Sequence, residues 1–146
     1  ISYNFGQQNP GRVARTIRLA LKTALGCGIF FFAATLVFNH QIVGLFIDKS
    51  YQAYDIAVNG IPYFAVGYLF FALNIVGIGY YQSIERARRA TVITLFRGTL
   101  FMLAGFLLLP PVLGVRGIWL AVPLAELLTL LLIIGIYLKD SFAVRQ

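Results

Sequence analysis

The sequence predicts an all-α integral membrane protein with four transmembrane helices. Of its 146 residues, 60% are hydrophobic and 12% are charged, which is about half the charged fraction of a typical soluble domain. No charged residue lies between Asp55 and Glu85, and this interval exceeds the ~20 apolar residues that a helix needs to cross the hydrocarbon core. Other apolar runs, separated by short polar connections, precede and follow this one.

Charges and helix breakers set the limits of the predicted spans. Residues 1–15 begin with a stretch rich in Gly, Asn and Pro and are expected to form a loop. Pro110, Pro111 and Gly114 are expected to break the third span. The four predicted spans cover about residues 16–47, 56–82, 90–110 and 117–138.

The basic residues predict the orientation of the chain in the membrane. Residues 1–22 and 82–97 carry four each, and the C-terminal tail carries Lys139 and Arg145. The two alternate connections carry one each. By the positive-inside rule, the N-terminal loop, the 83–89 turn and the C-terminus face the cytoplasm of a multi-pass protein in the cell (inner) membrane. Because the basic residues cluster at the ends of apolar runs, the net charge of +7 indicates topology and not nucleic-acid binding.

Glu126 is the sharpest candidate for function, since it lies near the middle of the fourth span. An ionised carboxylate at this depth is costly unless it is protonated, paired or in contact with water. It could line an ion or substrate pathway, or it could be a structural carboxyl that is hydrogen-bonded to a neighbouring helix. We expect the structural role, with a protonated Glu126. Arg97 is expected to lie ~8 Å nearer the cytoplasm and to extend towards the headgroups, so a direct ion pair is not expected.

Three other polar positions are candidates for the pathway or for helix packing. Asn74 and Arg97 lie at similar distances from the 83–89 turn, and we expect Arg97, as a structural residue, to hydrogen-bond to Asn74 or to extend to the headgroups. Tyr63 and Tyr68 could attract an organic cation with their ring faces, or could act as ordinary interfacial anchors. No nucleophile–base pair, metal-binding cluster or phosphate-binding loop can be assembled from the sequence. An enzyme, a bound metal and a cofactor are therefore not expected.

Several ordered motifs resemble the multidrug and toxic compound extrusion (MATE) transporters. They are the opening ISYNFGQQNPGRV, the GYYQSIERARRA turn, Arg97 in the next helix, and the Gly114–Glu126 run GVRGIWLAVPLAE. This resemblance implies a fragment containing helices nine to twelve, in the C-terminal lobe of a twelve-helix transporter. Its partners would be the bilayer, the missing N-terminal part and small organic cations, which are exported in exchange for Na⁺ or H⁺.

The chain departs from the family pattern at one position, and two other functions are alternatives to the antiporter. Some members of the family carry an aspartate on the second of these helices that takes part in Na⁺ binding, whereas this chain has Phe71 near that position. The coupling carboxylate is therefore expected outside this chain. One alternative is a flippase of lipid-linked oligosaccharides from the same wider superfamily. The other is a four-helix membrane scaffold that transports nothing.

Overall fold

The computed structural model describes residues 1–7 and 9–143, and helices make up nearly all of them. Arg145, which contributes to the predicted orientation, lies outside the described residues. A π-helical segment, Phe96–Phe101, joins two of the α-helices into one continuous rod. The α-helices are α1 (Ser2–Gly6), α2 (Pro10–Val37), α3 (Asn39–Gly44), α4 (Gln52–Ala65), α5 (Gly67–Ser83), α6 (Ala87–Leu95), α7 (Met102–Leu113) and α8 (Val115–Ala143).

The long helices are apolar enough to cross a membrane. Within the described part of the chain, α2, the α6–α7 rod and residues 115–140 of α8 each meet this requirement by length and composition. The bent pair of α4 and α5 counts as a fourth crossing if it is taken as one span. The predicted all-α membrane architecture is confirmed.

The bundle has two chemically different ends. At the end that carries the 83–89 turn, called the basic end below, Arg86 and Arg89 both pair with Asp140 and thereby tie this turn to α8. Pro10 at the start of α2 lies at the same end, since it lines a cavity together with Tyr81. The N-terminal segment and the end of α8 therefore lie on the same side of the bundle.

The opposite end is closed by an apolar cluster and a polar turn. Val43, Tyr54 and Trp119 pack together there, from α3, α4 and the start of α8. In the turn between α3 and α4, Asp48 accepts hydrogen bonds from the backbone N–H and the hydroxyl of Ser50. These two bonds lower the pKa of Asp48, with the backbone bond as the larger cause.

The second crossing bends by 42° between α4 and α5. Pro62 has no N–H to donate to the carbonyl of Val58, one turn earlier. Asn39 supplies the missing donor from α3, with its Nδ2 2.8 Å from the Val58 oxygen. A neighbouring segment thus compensates the backbone defect, and the chain bends where α4 ends and α5 begins.

Two expectations about helix ends were wrong. Residues 1–15 are not a continuous loop, because α1 forms within them and α2 begins at Pro10. Asn9 caps this start, since its Oδ1 accepts a hydrogen bond from the N–H of Arg12. The Pro110–Pro111 pair does not break the third crossing, because α7 continues through both residues and ends before Gly114, whose φ of +59° reverses the chain.

Close contact between α2 and α5 depends on a glycine. A Cβ atom added to Gly28 would lie 2.9 Å from the carbonyl oxygen of Tyr68 and 3.3 Å from the Cα of Leu69. Both atoms belong to the backbone, so no side-chain rotation can relieve the contact. Small residues allow this kind of approach between transmembrane helices, and Gly28 therefore sets the α2–α5 spacing.

Gly28→Ala should destabilise the bundle by about 1–3 kcal/mol, because the new methyl group forces α2 away from α5. The measurement is thermal unfolding in detergent. Gly26→Ala is the matched control, since a Cβ at Gly26 would meet no atom within 4 Å. Equal unfolding midpoints for the two variants would contradict the assigned contact.

Candidate functional site

Three polar side chains from different parts of the bundle meet in its interior. Glu126 of α8 accepts three hydrogen bonds from Arg97, of which the shortest joins Nη2 to Oε1 at 2.7 Å. Asn74 of α5 donates through Nδ2 to the Oε2 of Glu126 at 2.7 Å, and to its backbone oxygen at 2.8 Å. The three residues form one network, called the polar triad below.

Local backbone features bring the triad together. Arg97 lies in the π-helical segment, whose wider turn changes the direction of its side chain relative to a regular α-helix. A Cβ on Gly105 would lie 2.8 Å from the carbonyl oxygen of Ala121, so α7 and α8 approach closely just beyond the triad. This approach places the guanidinium of Arg97 within reach of Glu126.

The triad is shielded from its surroundings and compensated in charge. Asn74 is fully buried, and the side chains of Glu126 and Arg97 are 8% and 19% exposed. The guanidinium carbon of Arg97 also lies 4.8 Å from the ring centre of Phe71, in cation–π contact. Within the described residues the Oδ1 of Asn74 has no hydrogen-bond partner, so the amide still offers one acceptor. The site pairs one negative with one positive charge and keeps a single free acceptor.

The sequence-based expectations for these residues were wrong in two respects. Asn74 and Arg97 do not hydrogen-bond to each other in the structure, because each donates to Glu126. The ion pair between Arg97 and Glu126, which was not expected, is present. Counting residues from the helix ends overestimated the separation, since it ignored the reach of the Arg97 side chain and the π-helical turn. The guanidinium of Arg97 thus supplies a counter-charge to the buried carboxylate of Glu126.

A small aromatic pocket opens beside the triad. It has a volume of about 200 Å³ and is lined by Phe64, Tyr68, Phe71 and Glu126, with Gly67 and Val122. Phe64 and Tyr68 meet edge to face, with their ring centres 5.9 Å apart. The structure thus brings two predicted candidates, Tyr68 and Glu126, to one cavity.

Tyr63 is not among the residues that line this pocket. Its ring centre lies 6.0 Å from the guanidinium carbon of Arg116, towards the opposite end of the bundle. Phe64 and Phe71 were not predicted as site residues. Their spacing from Tyr68, at i−4 and i+3, places all three rings on one face of a helical stretch and could have indicated them.

A bundle of apolar crossings around a charge-paired cluster defines a multi-pass membrane protein. The family model described as MatE matches residues 1–107, so the chain belongs to the MatE family of membrane transporters. The matched stretch includes Asn74 and Arg97, whereas Glu126 lies beyond it. Comparison with curated proteins and with solved structures gave no match.

Arg97→Met should lower the free energy of unfolding by about 3–5 kcal/mol, because it leaves the carboxylate of Glu126 buried without its counter-charge. Glu126→Met should have a similar cost, because it leaves the guanidinium of Arg97 buried without its counter-charge. The Arg97→Met/Glu126→Met double variant should lose less than the sum of the two, since it removes both charges. Unfolding in detergent measures all three.

Arg88→Met serves as the control for loss of a basic side chain. Arg88 is exposed and forms no ion pair or side-chain hydrogen bond with any other described residue. Its replacement should leave the unfolding midpoint unchanged. Strictly additive losses at positions 97 and 126 would show that the pair is not energetically coupled.

Proposed function

We propose that this chain forms the four-helix, C-terminal part of a twelve-helix secondary antiporter that exports organic cations in exchange for Na⁺ or H⁺. Membership of the MatE family supports the transporter part of this proposal. The order of the sequence motifs, from the opening loop to the Gly114–Glu126 run, supports the placement in the C-terminal lobe.

The observation that supports the cationic substrate is the aromatic pocket beside Glu126. Aromatic faces attract cations, and the rings of Phe64 and Tyr68 line this pocket. Its volume of about 200 Å³ is below the roughly 300–1,000 Å³ of a typical ligand site. We therefore assign to this pocket only the charged group of a larger molecule, with the remainder in the cavity that the complete transporter would form.

The coupling ion is assigned to a site outside this chain. Glu126 is already neutralised by Arg97, and α5 carries no acidic residue. A carboxylate that must bind and release Na⁺ or H⁺ needs a less fully compensated environment than the triad provides. In this proposal the triad holds three helical segments in place, while the cation exchange takes place elsewhere.

An anionic substrate, as in a lipid-linked oligosaccharide flippase, is less well supported. Recognition of a pyrophosphate would require basic side chains that are free to face the cavity. Arg97 is the basic residue deep within the crossings, and its guanidinium is held by Glu126 and lies over Phe71. It is not free to bind a phosphate group.

The proposed orientation places the 83–89 turn in the cytoplasm and the Asp48–Tyr51 connection outside the cell. In a Cys27→Ala background, Tyr51→Cys should react with an impermeant thiol reagent in intact cells, whereas Ala87→Cys should react only after permeabilisation. Both positions are exposed, and neither change removes a charge. Labelling of Ala87→Cys from outside would reverse the orientation.

Tyr68→Leu should raise the KM for export of a cationic dye by about 2- to 30-fold, the equivalent of the ~0.5–2 kcal/mol of a cation–π contact. The measurement is dye efflux from cells that express the complete transporter. Tyr63→Leu is the matched control, since it removes the same ring from the same crossing, on α4, but lies outside the pocket, and its KM should not change. Equal effects of the two substitutions would remove the pocket from the proposed pathway.

A further inference from the structure

A large groove runs along the bundle at its basic end. It has a volume of about 1370 Å³ and is lined by residues of α2, α5 and α8. Its floor is closed where α5 meets α8, since a Cβ on Gly77 would lie 2.9 Å from a methyl carbon of Ile133. The groove is far larger than the aromatic pocket and shares no residue with it.

The deeper part of the groove is apolar. Its walls are formed by Leu21 and Leu25 of α2, by Leu73 and Val76 of α5, and by Ile134 of α8. From Arg18 to Leu25 the wall extends about 10 Å along the helix axis, within the ~15 Å depth of one leaflet. This part of the surface has the length and chemistry to hold acyl chains.

Midway along its α2 wall the groove is basic, and aromatic residues line the facing helices. Arg18 and Lys22 lie one helical turn apart on the face of α2 that lines it. Neither forms an ion pair or a side-chain hydrogen bond in the part of the chain that the structure describes. Tyr80 and Tyr137 also line the groove, and tyrosine is enriched where transmembrane helices meet the headgroups. Glu85 is the acidic residue among the lining residues, and the two cations outnumber it.

We propose that this groove binds an anionic phospholipid, with the phosphate at Arg18 and Lys22 and the acyl chains between α2 and α5. Basic pockets between transmembrane helices on the cytoplasmic side are known sites for anionic headgroups. Two cations without a protein partner, beside the apolar side chains of Leu21 and Leu25, match an anionic amphiphile. A wholly apolar transmembrane helix in the groove would fill the apolar part but leave both charges without a partner. The inference is independent of the transported substrate.

Fluorescence quenching by brominated lipid tests the proposal. A single tryptophan is placed in the groove by Leu25→Trp in the complete transporter, with Trp119 and every other tryptophan replaced by phenylalanine, and this protein is reconstituted into phosphatidylcholine vesicles. Brominated phosphatidylglycerol should quench this tryptophan at least threefold more strongly than brominated phosphatidylcholine at the same mole fraction. Val76→Trp, on the facing wall, should show the same preference.

Leu19→Trp is the positional control, because Leu19 is 66% exposed on α2 and does not line the groove. It should be quenched equally by the two lipids. Adding Arg18→Gln and Lys22→Gln to Leu25→Trp should abolish the preference for phosphatidylglycerol. Arg12→Gln and Arg15→Gln remove the same charge from exposed positions outside the groove and should leave the preference intact.

Each alternative gives a distinct result that would overturn the proposal. Equal quenching of Leu25→Trp by both lipids would indicate ordinary bulk lipid in the groove. Weak quenching by both would indicate that a protein segment fills it. Equal loss of preference in the two double-glutamine variants would indicate a diffuse attraction of the whole basic end.

Discussion

The carboxylate of Glu126 accepts hydrogen bonds from two other parts of the chain, and the interior of the bundle is arranged around it. An ionised side chain at the centre of a bilayer costs roughly 2.5–3.5 kcal/mol on the membrane-insertion scales, which give the lowest values. The cost falls only if the counter-charge stays in place. The α6–α7 rod, α5 and α8 are therefore held in one relative position, since a shift of any one of them would leave a buried charge or amide unsatisfied.

The fixed position of the helices around Glu126 also determines the shape of the aromatic pocket. Phe71 lies under the guanidinium of Arg97, and Gly67 packs against Pro123, one turn before Glu126. Phe64 and Tyr68 lie on the two sides of the bend between α4 and α5, which Asn39 stabilises from α3. One wall of the pocket is thus fixed by the triad and another by the bend. The pocket is therefore held in one shape by contacts on two sides.

Composition and charge spacing were sufficient to predict the membrane class and the all-α fold, because the bilayer imposes length and hydropathy on every crossing. They could not predict the partners of Glu126. The apolar runs show little periodicity, so the sequence does not indicate which helix face is buried. The π-helical turn at Arg97 and the close approach at Gly105 depend on tertiary contacts between distant residues. The expectation that Pro110 and Pro111 break the third span was wrong for a related reason. Packing against α8 keeps α7 helical through both residues.

The central claim is that Glu126 is an ionised carboxylate paired with Arg97. Infrared difference spectroscopy of the unaltered protein against Glu126→Gln tests it most directly, because carboxylate and protonated carboxyl groups absorb at separate frequencies. The account predicts that the substitution removes a carboxylate band and shifts the guanidinium bands of Arg97. Loss of a protonated carboxyl band, with the guanidinium bands unchanged, would contradict it.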